Sequence, residues 1–179
     1  MRRALSHFTT SFEESPGRLN IHDLPNGVRV IVDYAHNEAA TLALGRLIDA
    51  MRPNHRRVYG VVSIPGDRRD EDLRRMGELA AGIYDEIMFR EAPDGRGRTP
   101  GSINALMAEG AIGAGHDPAL LHRLTDEEVA TQACLERAEP GDLIVITPTE
   151  VERIWRQVVS YLPPEPEAAN AVIAEPEHA

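Results

Sequence analysis

Short runs of apolar, often β-branched residues alternate along the chain with longer stretches in which apolar residues recur every three or four positions. The short runs predict buried strands, and the longer stretches predict amphipathic helices. The predicted strands comprise residues 18–22, 28–33, 56–64, 87–89, 120–124 and 143–146. The predicted helices comprise residues 37–51, 71–84, 103–110, 125–137 and 150–161. Ser102 is the expected cap of the third helix, and residues 125–128 have a capping-box pattern at the start of the fourth.

The order of these elements predicts the fold class. Strands that alternate with helices favour an α/β fold, with a Rossmann-like, mostly parallel sheet flanked by helices. The turn Asn26-Gly27 between the first two strands is a strong hairpin signal. We therefore expect an N-terminal β-hairpin that adds an antiparallel strand and brings Arg18 and Asp33 to the same end of that hairpin.

Three of the predicted strands end abruptly in polar residues. Because the carboxyl ends of parallel strands share one edge of the sheet, where helix N-termini also favour anions, ligands bind at that edge. Arginine suits a phosphate or carboxylate, and aspartate suits a ribose hydroxyl or an ammonium group. The clusters are Asp33, His36 and Asn37 after the second strand, Asp67, Arg68 and Arg69 after the third, and Glu91, Arg96 and Arg98 after the fourth.

Each cluster also has a purely structural interpretation. Asp33 and Asn37 could equally serve as caps of the following helix, since Asp and Asn are common caps. The polar loop 90–101 could equally be a solvated connection, as surface loops often are. The sequence contains no Gly-x-Ser-x-Gly elbow, no His-x-x-x-His pair and no cysteine cluster. The residues by themselves therefore indicate a ligand-binding α/β domain without a metal site.

Composition narrows the class of protein further. A chain of 179 residues fits one domain, for which we expect the bounds 16–162, with a lead-in at 1–15 and a disordered acidic tail at 163–179. The formal net charge of −10 argues against a nonspecific nucleic-acid binder. The single Cys134 lies in a helical pattern and is expected to be a small core residue. No apolar run reaches the length of a membrane span, so we expect no membrane partner and a cytoplasmic location.

Several ordered motifs resemble a known family. Asp33-Tyr34-Ala35-His36-Asn37, preceded by the segment 16–20 (PGRLN) and followed by 65–72 (PGDRRDED), is similar to the C-terminal domain of the Mur ligase family. The resemblance covers roughly residues 14–160 and is greatest to the cyanophycin synthetase branch of that family. One position departs from the family pattern, since Glu38 stands where proline often follows the asparagine.

The resemblance implies an ATP-dependent reaction in which a carboxylate is activated as an acyl phosphate and an amine then forms the amide. Its cofactors are ATP and Mg²⁺, and the C-terminal domain closes over a central domain. The incoming amino acid in this branch is arginine, for which Glu91 and Asp94 are candidate acidic partners. The implied roles are nucleotide binding for Arg18 and Asp33, catalysis for His36 and Asn37, and substrate binding for Asp67, Arg68, Arg69, Glu91, Arg96 and Arg98.

The same resemblance limits what this chain can do alone. Such ligases carry their phosphate loop in the central domain, and no Gly-x-x-x-x-Gly-Lys-Ser/Thr motif occurs in this sequence. We therefore expect the isolated chain to be inactive. Its expected partner is a central ATP-binding domain, which is supplied either in trans or as part of a longer gene product. Homo-oligomerisation is left open. The alternative is a free-standing nucleotide- or amino-acid-binding module with a regulatory role.

Overall fold

The computed structural model describes residues 11–92 and 94–164. In this part of the chain six strands form one sheet that is flanked by five α-helices. The strands are β1 (Asn20–Asp23), β2 (Arg29–Val32), β3 (Val58–Val62), β4 (Glu86–Phe89), β5 (Leu121–Arg123) and β6 (Leu143–Ile146). The helices are α1 (Glu38–Met51), α2 (Asp70–Ile83), α3 (Ser102–Gly113), α4 (Glu127–Arg137) and α5 (Val151–Ser160), and short 3-10 turns follow α1 and α3.

The strands lie side by side in the order β1-β2-β6-β3-β4-β5. β1 is antiparallel to β2, with Asn20 opposite Val32, and the other neighbouring strands of the described sheet pair in parallel. The predicted α/β class, the mostly parallel sheet and the N-terminal hairpin are therefore confirmed. β6, the last strand along the described chain, is inserted between β2 and β3, so the sheet has a point at which the direction of winding changes.

Helices cover both faces of the sheet. Successive side chains of a strand point to opposite faces, so a strand between two helical layers must be apolar throughout, as β6 is. Val145 packs with α1, α2 and α3 on one face, whereas Ile144 and Ile146 pack with α4 and α5 on the other. The core therefore consists of two apolar layers that the sheet separates.

Two helix caps differ from the predicted ones. Gly101, with a φ of +87°, precedes α3, and Ser102 is the first helical residue, whose hydroxyl donates to the Thr99 carbonyl. The cap of α4 is Asp126, which accepts from the Val129 N–H. In both places a neighbouring residue with suitable backbone geometry displaces the expected cap.

Cys134 is fully buried in α4, as the sequence predicts, and burial raises the pKa of its thiol. The predicted lead-in and acidic tail lie largely outside the described residues, at 1–10 and 165–179. Across the described ranges, none of the helices has the length and apolar character needed to cross a membrane.

The contact between α2 and α3 depends on two glycines. A Cβ atom at Gly77 would lie 1.8 Å from the Met107 carbonyl oxygen, and one at Gly110 would lie 1.9 Å from the Arg74 carbonyl oxygen. These distances are far below any van der Waals contact, so the two helix backbones can approach this closely only where side chains are absent.

We expect Gly77→Ala to lower the free energy of unfolding by about 3 kcal/mol or more, because the helices must separate to admit the methyl group. Gly82→Ala is the matched control in the same helix. A Cβ at Gly82 has no atom within 4 Å, and this variant should be about 0.5–1 kcal/mol more stable through lower backbone entropy of the unfolded chain. Urea denaturation of both variants measures the difference, and equal stabilities would contradict the proposed role of Gly77.

Candidate functional site

The parallel strands deliver the predicted polar clusters to one edge of the sheet. Val32 of β2 pairs with Ile146 of β6, and Val62 of β3 pairs with Phe89 of β4, so these strands end together. A cavity of about 70 Å³ lies between their ends, and a neighbouring one of about 140 Å³ shares His36 and Ile64 with it. Of the predicted site residues, His36 lines both cavities, Arg96 lines the smaller one, and Asn37 and Arg68 line the larger one, whereas Arg18 and Asp33 line neither. We call these two neighbouring cavities the crevice.

Asp33 and Arg18 lie close together, as the hairpin predicts. The Leu19 N–H donates to Asp33 Oδ2 at 3.0 Å, and Leu19 has a φ of +51°, which an ordinary side chain rarely adopts. Burial raises the pKa of the Asp33 carboxyl, while the Leu19 hydrogen bond and the Arg18 charge oppose that rise. The exposed Arg18 guanidinium carbon lies 5.8 Å from the centre of the Tyr34 ring. Asp33 therefore fixes the hairpin rather than capping α1.

Asn37 is the cap of α1. Its side-chain oxygen accepts from the Ala40 N–H at 3.0 Å, so the capping interpretation is correct for this residue. His36 Nδ1 lies 2.9 Å from the Tyr34 carbonyl oxygen. Because a carbonyl can only accept, Nδ1 carries the proton, and in the neutral ring Nε2 is left with a lone pair. The two predicted catalytic residues thus have defined orientations, His36 beside both cavities and Asn37 beside the larger one.

The loop after β3 is held by the two arginines of the loop after β4. Arg98 donates to the Gly66 carbonyl oxygen and to the Arg68 carbonyl oxygen, both at 2.6 Å, and forms an ion pair with Asp70 at 2.8 Å. Arg96 pairs with Asp67 at 2.6 Å, which lowers the pKa of that carboxyl. Arg96 and Arg98 therefore brace the Gly-Asp-Arg loop.

Arg68 and Arg69, which follow one another in that loop, have different surroundings. Arg69 pairs with Glu71 and Asp72 at the start of α2. Arg68 lines the larger cavity, whose wall also includes Asp72. Arg68 is thus the member of the pair that faces the crevice.

Glu91 is buried and acts as a cap of α3. Its carboxylate accepts from the Gly101 N–H at 2.7 Å and from the Asn104 N–H at 3.0 Å. Asp94, the second candidate partner of a guanidinium substrate, accepts from the Arg96 N–H. Both predicted acids therefore have backbone partners within the chain, and their assignment to substrate binding stays a prediction.

The sequence did not single out Arg90, whose side chain is 2% exposed at the end of β4. Its guanidinium donates to Thr149 Oγ1 at 2.7 Å and to the Thr147 carbonyl oxygen at 2.5 Å, and it pairs with Glu127 at 2.9 Å. Glu127 also accepts from the N–H groups of Thr149 and Glu150. Burial lowers the pKa of the Arg90 guanidinium, and the negative charge of Glu127 opposes that decrease. The available signal was an arginine directly after the apolar run 87–89.

Arg18 is an exposed cation and Asp33 a half-buried carboxylate at the same end of the hairpin, and neither lines the two cavities. A guanidinium suits a phosphate and a carboxylate suits a ribose hydroxyl, so the assignment of both residues to a nucleotide stays a prediction. No group of three or more His, Cys, Asp or Glu side chains within 11–92 and 94–164 is arranged to hold a metal ion. All 19 basic residues of the sequence are arginines, so the chain has no lysine to contact β- and γ-phosphates.

Known proteins match this chain over most of its length. A family model described as "Mur ligase, glutamate ligase domain" matches residues 17–149. The cyanophycin synthetase of Trichormus variabilis is 40% identical over 153 residues, which are 86% of this chain and 16% of that protein. A solved structure of UDP-N-acetylmuramoyl-L-alanyl-D-glutamate–2,6-diaminopimelate ligase is 25% identical with a TM-score of 0.61, over 74% of this chain and 26% of that one.

A more distant structure has the same fold. E. coli FolC in complex with ADP superimposes with a TM-score of 0.59 at 18% identity, over 88% of this chain and 36% of that one. The chain spans 16–18% of the length of the cyanophycin synthetases that it matches. It belongs to the Mur ligase family, as the C-terminal, glutamate ligase domain of ATP-dependent ligases, and is similar to cyanophycin synthetase.

Proposed function

We propose that this chain completes the nucleotide site of an amide-forming ligase and binds the incoming amino acid, while a central domain holds the phosphates. The observation that carries the proposal is that His36, Asn37, Arg68 and Arg96 line two neighbouring cavities at the carboxyl edge, in a chain that resembles cyanophycin synthetase. The isolated chain is inactive, because it lacks both a phosphate loop and a lysine. A cytoplasmic location remains a prediction from the sequence.

Arg18 and Asp33 contact the nucleotide from this domain. Arg18 is exposed beside the Tyr34 ring, and the Leu19 N–H holds the Asp33 carboxylate in place, so Asp33 is oriented before a nucleotide arrives. When bound, ATP supplies the phosphoryl group that activates the acceptor carboxylate. Mg²⁺ would accompany the ATP phosphates and would take its protein ligands from the central domain, because no group of three or more His, Cys, Asp or Glu side chains in the described ranges is arranged to hold a metal ion.

His36 and Arg68 act on the incoming amino acid, which we infer to be arginine from the resemblance to cyanophycin synthetase. Arg68 faces the larger cavity and suits a carboxylate. The lone pair on His36 Nε2 can accept a proton from the attacking amine. Asn37 fixes the start of α1 beside both groups, and Asp67, Arg69, Glu91, Arg96 and Arg98 maintain the loops around them.

Reconstitution tests the proposed function. The purified chain alone should release no phosphate from ATP with Mg²⁺, arginine and an aspartate-containing acceptor, whereas mixing with a central ATP-binding domain should give turnover. In the mixture, Arg18→Ala should lower kcat/KM about ten- to a hundredfold, the worth of one charge-assisted contact of about 1.5–3 kcal/mol. Arg46→Ala, on the exposed face of α1, is the control and should leave kcat/KM unchanged. Turnover by the chain alone would overturn the proposal.

The raised pKa of Asp33 predicts a pH-dependent difference in stability. At pH values between the usual aspartate pKa near 4 and the higher pKa in the folded state, Asp33 holds more protons in the folded chain than in the unfolded chain. The contribution of Asp33 to the free energy of unfolding therefore decreases as the pH rises through this window. Asp33→Asn keeps an oxygen for the Leu19 N–H but cannot ionise. Relative to the natural chain, this variant should therefore gain stability from pH 3 to pH 7 in denaturation experiments, and a relative loss would show that the carboxylate is stabilised by folding.

Glu91→Gln separates a capping role from a substrate-binding role. The variant loses a buried charged acceptor at the start of α3, and we expect a loss of about 1–3 kcal/mol in the free energy of unfolding. Asp94→Asn, at an exposed position, should change stability by less than about 0.5 kcal/mol. Unchanged stability of Glu91→Gln together with weaker binding of arginine would instead favour the predicted substrate contact.

A further inference from the structure

The segment before β1, residues 11–19, packs across α5 although it belongs to no helix or strand. We call this segment the strap. The Phe12 ring of the strap stacks on the Trp155 ring of α5, with 4.9 Å between the ring centres and 2° between the ring planes. The His22 ring of β1 meets the same indole edge-on, at 6.0 Å. Trp155 is therefore the surface on which the start of the strap docks.

The middle of the strap is held by the fully buried Asn20. Asn20 Oδ1 accepts from the Gly17 N–H at 2.6 Å, and Asn20 Nδ2 donates to the Ser15 carbonyl oxygen at 3.0 Å. Gly17 has a φ of +70°, and a Cβ atom at this position would lie only 3.0 Å from both methyl carbons of Val151, in the first turn of α5. The strap is therefore a defined turn that is pressed against α5, and not a loose connection.

The far end of the strap is bonded to the segment that follows β2. The Gly17 carbonyl oxygen accepts from the Tyr34 N–H at 2.8 Å, and the Leu19 N–H donates to Asp33. Leu19 has a φ of +51°, and a side chain persists in that conformation only where its surroundings hold it. Tyr34 lines the smaller cavity of the crevice, and its carbonyl oxygen accepts from His36 Nδ1. The strap thus contacts the residues that orient His36.

We infer that the strap is a positioning element for the crevice, with Phe12 as its remote anchor. The stack of Phe12 on Trp155 holds the strap in place, and the strap holds Tyr34 and, through the Tyr34 carbonyl, the orientation of His36. The action of His36 on an incoming amino acid rests on the proposed function. In a longer gene product, a domain joined on the amino-terminal side of the strap would act on the crevice through it, because loss of the stack loosens the strap at its other end.

Amide hydrogen exchange of the isolated chain tests this coupling. Phe12→Ala removes the stack, and exchange of the Tyr34 amide should become about three- to tenfold faster, the factor that an aromatic pair contributes to the docked state. Phe12→Tyr keeps a ring on Trp155 and should retain the natural rate. Ile83→Val is the matched control, because it removes one buried methyl group on the opposite face of the sheet from α5. It lowers global stability but should leave exchange at Tyr34 unchanged, since the strap opens without the rest of the domain.

Two further measurements report the two ends of the strap separately. Trp155 is the single tryptophan of the chain, so its fluorescence reports the stack, and its emission in Phe12→Ala should move to longer wavelength as water reaches the indole. Relaxation dispersion of the ¹⁵N signals of the His36 ring reports the other end. In Phe12→Ala the minor population at His36 should rise by the same factor as the exchange rate at Tyr34, whereas Ile83→Val should leave it unchanged.

Unchanged exchange at Tyr34 in Phe12→Ala, or unchanged emission of Trp155, would show that the stack does not hold the strap and would overturn the inference. Equal acceleration in Phe12→Ala and Ile83→Val would overturn it as well, because the strap would then open only with the whole domain. These measurements use neither ATP nor a central domain, so they are independent of the reconstitution assay. Faster exchange at Tyr34 without ligation would leave the strap standing and remove the proposed function, and ligation with unchanged exchange would do the reverse.

Discussion

The insertion of β6 between β2 and β3 is the constraint on which the rest of the site depends. It places the ends of β2, β6 and β3 side by side, although β6 lies far from the other two along the chain. The loops of β2 and β3 lead to helices on one face of the sheet, whereas the loop of β6 leads to α5 on the other. Loops that diverge in this way leave a crevice between them, which is why ligands bind at such points in open α/β sheets.

Arginines hold the crevice in shape. Arg98 fixes the loop after β3 through two carbonyl oxygens, and Arg90 fixes the loop after β6 through Thr147, Thr149 and Glu127. A planar guanidinium with five donors can join several backbone acceptors at once, which an ammonium group cannot do with the same geometry. The charged residues around the crevice therefore include Arg90 and Arg98, which hold its loops, and Arg68, which lines the larger cavity.

The braced crevice fits a domain that acts together with a second domain. The chain is a small part of the length of the cyanophycin synthetases that it matches, and the lysine and phosphate loop of such ligases have no counterpart in it. In the proposed function, a crevice with braced loops presents a fixed surface to the domain that carries the phosphates. Preorganised donors are worth more for binding and catalysis than mobile ones, because no free energy is lost in ordering them.

The sequence by itself determined the α/β class, the hairpin and the edge at which the polar clusters meet, because apolar periodicity and the Asn26-Gly27 turn are local signals. It also placed Asn37 at a helix start, where its capping role depends on residues only three positions away. The strand order, the capping role of Glu91 and the buried pair of Arg90 with Glu127 were decided by the tertiary structure alone. These features depend on which distant segments the packed sheet brings together. A charged residue in a loop has the same local sequence pattern whether its partner is water, a ligand or another loop, so the sequence alone does not identify the partner.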